Sequence, residues 1–201
     1  MKTLKLFVSL ALTVFCTSVF AQSVIMDENF QSFKDQGWNN DTTSLCDKKN
    51  PNSKSNFKVS KTYGDTKVEF AFIKAAVSPT CGSKKTPSKV SDGFVKVRKD
   101  GGSLTVSQLP YISTIEVGAS ATGDERGYAL FKSVDGGEWV KIGEYIGAKS
   151  EGADAQYGFI NKITVNESNV ALKFLPTLGG KSEDGPALQT FCIHSIKVFG
   201  K

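Results

Sequence analysis

Few residues in this chain have the chemistry for catalysis. His194 is the single histidine. A Ser-His-Asp or Cys-His relay needs such a base, but His194 lies in an apolar terminal run behind Phe191-Cys192-Ile193, where a packed strand residue is the expectation. A zinc centre requires several His or Cys ligands, and no ligand spacing of that kind occurs. There is no G-x-S-x-G, no P-loop and no G-x-G-x-x-G. The glycines of 118–123 (GASATG) end a strand without opening a helix. Glycoside hydrolysis needs only two carboxylates at a suitable separation. Asp27, Glu28, Glu69, Glu116, Asp124, Glu125, Glu144 and Asp154 are available, but sequence pairs none of them and a solvated surface is the expectation for each. The chain is therefore read as non-enzymatic. Asp27 and Glu28, in a first strand that a sandwich sets beside the last, are the candidates for a structural Ca²⁺ held by hard oxygen ligands; no other cofactor is expected.

The aromatic residues carry more. Trp139 and Tyr145 alternate in phase with Lys132 and Lys141, on the face opposite Phe131, Val140 and Ile142. A flat ring offered to solvent stacks on a sugar ring, and flanking lysines hydrogen-bond hydroxyls or pair with uronate carboxylates. The same Trp-Tyr-Leu grouping also describes a core face, and the two readings stay open at this level. Trp38 and Tyr111 are further candidate ligand contacts. Lys48, Lys49, Lys54, Lys58 and Lys61, with Lys84, Lys85 and Lys89, would form a basic rim if their two loops were joined.

The elements that must position these residues read as strands. Candidate strands cover 24–30, 67–77, 93–99, 103–109, 112–120, 127–134, 138–146, 158–165, 169–178 and 188–200, rich in Val, Ile, Phe and Thr and bounded by Gly, Asp, Asn or Pro. Asp-Gly-Gly at 100–102 and 135–137 joins alternating runs, and Asp-Gly is a strong two-residue hairpin signal. With Asp100-Gly101 as a hairpin turn, Val97 faces Leu104 and Val95 faces Val106. In the second hairpin Ala129 and Phe131 share a face with Val140 and Ile142. Tyr128, Leu130, Lys132 and Val134 lie on the other face beside Trp139, Lys141 and Tyr145. A slip of one residue reverses this division. No stretch keeps a helical period. The fold class is all-β, an antiparallel β-sandwich of jelly-roll type, with a closed barrel as the alternative. Residues 39–66 and 78–92 read as long loops.

The chain begins with Lys2 and Lys5, then an apolar run over 6–20 that ends at Val19-Phe20-Ala21. This is the pattern of a cleavable secretory signal over 1–21, cut before Gln22. The run is too short for a bilayer span of about 20 residues, and no other run approaches that length. One domain, 22–201, remains, located extracytoplasmically: secreted, periplasmic or at the cell surface. Of 25 basic residues two leave with the signal, so 23 face 20 acidic ones, a net charge of +3 that does not suit a nucleic-acid partner. Cys46, Cys81 and Cys192 persist in an oxidising compartment. A Cys46–Cys81 disulfide tying the two long loops is expected, with Cys192 a free buried thiol.

Together DENFQSFKDQGW (27–38), GFVKVRKDGGSLTVSQLPYISTIEV (93–117), RGYALFKSVDGGEWVKIGEYIG (126–147) and IHSIKVFGK (193–201) resemble a non-catalytic β-sandwich module of secreted Bacteroidetes proteins. Such modules often stand beside pectate lyases. The KSVDGGxW hairpin is similar to those of galactose-binding-like and discoidin-like sandwiches. The resemblance implies a carbohydrate-binding accessory to polysaccharide utilisation, on pectin among other glycans. A cell-surface protein–protein or adhesion module is the alternative.

Overall fold

The computed structural model describes residues 22–30, 33, 56–78, 94–121, 127–146, 158–179, 187–188 and 191–201. The expected signal, Trp38, Cys46, Cys81 and the loop lysines 48, 49, 54, 84, 85 and 89 lie outside the described residues. Among the described residues fourteen strands follow one another in chain order: β1 (Val24–Glu28), β2 (Phe57–Tyr63), β3 (Thr66–Ile73), β4 (Ala75–Ser78), β5 (Phe94–Val97), β6 (Ser103–Leu109), β7 (Ile112–Ala121), β8 (Gly127–Val134), β9 (Val140–Ile146), β10 (Gly158–Glu167), β11 (Val170–Pro176), β12 (Leu178–Gly179), β13 (Ala187–Leu188) and β14 (Phe191–Phe199). One sheet runs β10-β7-β14-β5-β4, and β1 also pairs with β14. β5 takes Phe191–Ile193 of β14 while β1 takes Ile196–Phe199, so the two share one side of the same strand. The second sheet runs β2-β3-β6-β11-β8-β9, and β12 and β13 form a short ribbon. All pairings are antiparallel. Among the described residues both sheets are open, with edge strands, which makes a β-sandwich and not a closed barrel.

Alternation builds the core. Val68, Phe70 and Phe72 of β3, Leu104 and Val106 of β6, and Leu172 and Phe174 of β11 point inward, buried against Ile115 and Val117 of β7 and Ile193, Ile196 and Val198 of β14. Each such side chain stabilises the fold by about 1.5–3 kcal/mol relative to exposure. Phe30 and Phe33 join them, with Phe33 edge-on to Phe70 and Phe72 at 5.4 and 5.9 Å. At the other end Tyr128 packs on Tyr145, Phe174 and Phe191 at 5.1–5.7 Å. Its hydroxyl donates to Asn161 Oδ1 at 3.0 Å, which satisfies the polar end of a buried ring.

Three expectations are corrected. The run 67–77 is two strands, not one. At Lys74 the backbone turns to φ 42°, and the chain leaves the second sheet as β3 and enters the first as β4. Residues 100–102 do not close a hairpin, because β5 and β6 belong to different sheets. Val95, Val97, Leu104 and Val106 all reach the core, so the shared apolar face is satisfied across the sandwich instead of along a ladder. The corner is tight: Arg98 N donates to Lys74 O at 3.1 Å, and Gly102 N to Arg98 O at 3.0 Å. A Cβ on Gly102 would lie 2.5 Å from Arg98 O and 2.9 Å from Lys74 O, so this close backbone approach requires glycine. Finally, β2 falls inside the stretch expected to be a loop. Phe57, Val59, Lys61 and Tyr63 alternate with Lys58, Ser60 and Thr62, and the lysine at an inward position conceals the pattern.

Candidate functional site

The second Asp-Gly-Gly does form a hairpin. Asp135 (φ 51°) and Gly136 (φ 73°) are its two central residues, and Gly137 N donates to Val134 O at 2.8 Å. Its register differs from expectation. Lys132 stands opposite Val140 and Phe131 opposite Lys141; then the ladder shifts, and Leu130 meets Gly143, Ala129 meets Glu144 and Tyr128 meets Tyr145. The extra residue, Ile142, is a β-bulge, and it divides the expected aromatic and lysine face in two. Tyr145 turns inward onto Tyr128 and is half-buried. Trp139 and Lys141 lie with Phe131 on the outer face.

Trp139 stands outside the core and is 38% exposed. The Lys173 amine sits 3.8 Å from the centre of its ring. Lys173 lies opposite Phe131 on one side and Thr105 on the other, in the middle of the sheet, and burial lowers its pKa. Lys173 was not among the expected contacts, and the two lysines that were are already engaged. Lys132 Nζ donates to Glu167 Oε1 at 2.5 Å, and Lys141 pairs with Glu144. Tyr111 is elsewhere, between β6 and β7; its hydroxyl is 3.4 Å from Asn166 Oδ1 and the Lys201 amine lies 4.7 Å from its ring centre.

Sequence reasoning missed a cavity of about 610 Å³ at the end of the second sheet. Its polar lining includes Asp65, Lys67, Gln108, Asp135 and Asn169, and its apolar lining includes Leu109 and Val170. Three of these polar residues adopt positive φ: Gln108 at 64°, Asp135 at 51° and Asn169 at 52°. Gln108 is out of step at an irregularity between β6 and β11, where Val170 pairs with Leu109 and Leu172 with Val106. Asp135 N donates to Asn169 O at 3.0 Å, and Asn169 Nδ2 returns a bond to Asp135 Oδ1 at 2.8 Å. Two turn tips are thereby locked together as one wall. The turn composition Gly64-Asp65, Asp135-Gly136 and Ser168-Asn169 was visible in sequence, but its convergence depends on the strand order. Ala171 lines the cavity and Lys173 lies two residues further along β11, so cavity and Trp139 patch share one face.

Asp27 and Glu28 do not converge on an ion, because consecutive strand residues face opposite sides. Asp27 points out and pairs with Lys197 at 2.9 Å. Glu28 is 2% exposed, and its carboxylate accepts from Lys61, from the Tyr63 hydroxyl and from Phe30 N at 2.5 Å. Burial, then the hydrogen bond and charge of Glu28, raise the Tyr63 pKa well above its ordinary range. No group of three potential metal ligands occurs among the described residues. His194 sits at an irregularity of β14, between Ile193 and Ser195. Burial lowers its pKa to about 4. Cys192 is free and buried, as expected, and burial pushes its thiol up to about 12.

No family model matches the chain, and no curated protein matches it. Solved structures do resemble it. The K1 cleaved adhesin domain of Lys-gingipain from Porphyromonas gingivalis W83 is 11% identical with a TM-score of 0.45, covering 88% of this chain and 98% of its own. The K2 cleaved adhesin domain of Lys-gingipain is 9% identical with a TM-score of 0.43, covering 89% and 99%. CBM32-1 from a family 31 glycoside hydrolase of Clostridium perfringens is 14% identical with a TM-score of 0.34, covering 62% and 93%. Likeness at this level assigns no function.

Proposed function

We propose that this protein binds a glycan without cleaving it, outside the cytoplasm, as an accessory to polysaccharide use. The observation that carries this reading is Trp139, an indole left outside the core on the same sheet face as a cavity of about 610 Å³. That volume falls in the range of small-ligand sites, about 300–1,000 Å³. One face of the ring is held by Lys173 and the other is offered for stacking on sugar C–H groups. Asp65, Gln108, Asp135 and Asn169 supply carboxylate and amide groups that bond hydroxyls in both directions. Asp65 and Asp135 outnumber Lys67 in the lining of the cavity, and Lys132 and Lys141 are already ion-paired, which favours a neutral sugar over a uronate. Isothermal titration against neutral polysaccharides, methyl-esterified pectin and polygalacturonate tests this. Saturable binding to a neutral polymer or to the esterified pectin, absent in Trp139→Ala and Asp65→Ala, is expected. Preference for polygalacturonate would overturn the ligand class, and binding unchanged in both variants would overturn the site.

A further inference from the structure

β9 is an edge of the second sheet, and among the described residues no strand pairs with its outer side. Exposed large hydrophobics gather on and beside it: Trp139 at 38%, Val140 at 55% and Ile146 at 51%. An edge with unpaired backbone groups and exposed apolar side chains is a template for another strand. The sequence of β9 specifies which strand. In a regular strand Lys141 and Glu144 would lie on opposite faces. The bulge at Ile142 brings both to the outer face, opposite Phe131 and Ala129, where they form an ion pair within the chain.

We propose that β9 pairs antiparallel with β9 of a second copy of this chain, about a two-fold axis between Ile142 and Gly143. Directly opposite residues of a ladder share a face. This register sets Lys141 against Glu144 of the second copy, and by symmetry Glu144 against its Lys141. Val140 then meets Tyr145 of the second copy on the inner face, and Trp139 meets its Ile146 on the outer face. Every opposed pair has matching faces, both charges are neutralised twice over, and Val140 and Ile146 each gain an apolar neighbour at the side while the outer face of the sheet stays open. The contact is isologous, so it closes as a dimer and does not propagate. The two six-stranded sheets become one, and the two Trp139 rings lie about 24 Å apart along its outer face, at about 3.4 Å per residue. Two weak sites on one surface suit a repeating polymer. That last consequence rests on the glycan reading; the pairing itself does not.

Sedimentation velocity of the purified protein tests the pairing, with circular dichroism to confirm that each variant is folded. Wild type is expected to sediment with the mass of two chains. Lys141→Glu and Glu144→Lys each place like charges opposite one another, and each alone is expected to sediment as one chain. Their equimolar mixture restores both opposite-charge contacts and is expected to return to two chains. Wild type at one-chain mass at every concentration reached would overturn the proposal. So would folded single variants that dimerise as wild type does, since the interface would then lie elsewhere. Glycan titration with Trp139→Ala reads out independently of either result.

Discussion

Replacing Lys61 by Met tests the ion pair that ties the two sheets. Glu28 belongs to β1 in the first sheet and Lys61 to β2 in the second, so their contact crosses the sandwich. The Met side chain keeps the apolar stem that lies beside Phe33, whose ring centre is 4.7 Å from the amine. What disappears is the charge facing a carboxylate that is 2% exposed. Breaking a buried pair by removing one partner costs about 3–5 kcal/mol, because the remaining charge is uncompensated. Tyr63 and the Phe30 amide still donate to Glu28, which places the loss near the lower limit, about 3 kcal/mol. Glu28→Gln added to Lys61→Met removes the stranded charge and is expected to recover about half of that loss. Urea unfolding followed by tryptophan fluorescence measures both, with an unchanged m-value as the sign that only stability has moved. A loss below about 1 kcal/mol for Lys61→Met, or a double variant that costs the full sum of the two singles, would refute the buried pair.

Burial holds His194 at about 4 against an ordinary 6.5, so the unfolded chain binds the extra proton between those values. Its contribution is complete above pH 6.5 and is lost as pH falls through 4, about 3 kcal/mol in all. As the single histidine, its ring resonance can be followed directly, and a midpoint above 6 would contradict the burial. Gly102→Ala is expected to cost about 2–3 kcal/mol because the contacted atoms are backbone at the sheet-crossing corner. A variant as stable as wild type, or more stable by the roughly 0.5–1 kcal/mol ordinarily gained on replacing a strand glycine, would contradict the tight corner. Trp139→Ala is expected to cost about 1–2 kcal/mol, less than the 3–5 kcal/mol of a core tryptophan, since the ring is 38% exposed and contributes chiefly its contact with Lys173. Thermal or urea unfolding that shows a core-sized loss would move Trp139 into the interior.

Period-two alternation was a good guide where one strand kept one environment. The bounds expected for 103–109 and 127–134 match β6 and β8, because Leu104 and Val106, then Tyr128 and Leu130, give an uninterrupted inward face. It failed where the backbone broke the period. At Lys74 the pattern continues across a change of sheet, since Phe72 and Ala75 both reach the core on either side of the positive φ. At Ile142 an inserted residue moved Tyr145 inward while leaving Trp139 and Lys141 outward, so the four expected contacts could not share a face. Lys61 concealed β2 because its partner, Glu28, lies 33 residues earlier and no local signal pairs them. The cavity was illegible for the same reason. Asp65, Gln108, Asp135 and Asn169 each look like turn or strand-end residues, and only the order β3-β6-β11-β8 gathers them.

Isothermal titration of a neutral polysaccharide into the wild-type protein and into Trp139→Ala decides whether Trp139 holds a glycan. Saturable heat is expected with wild type, and none with a variant that still unfolds cooperatively. Equal binding by both proteins would contradict the assignment of Trp139, and heat from polygalacturonate alone would contradict the neutral glycan.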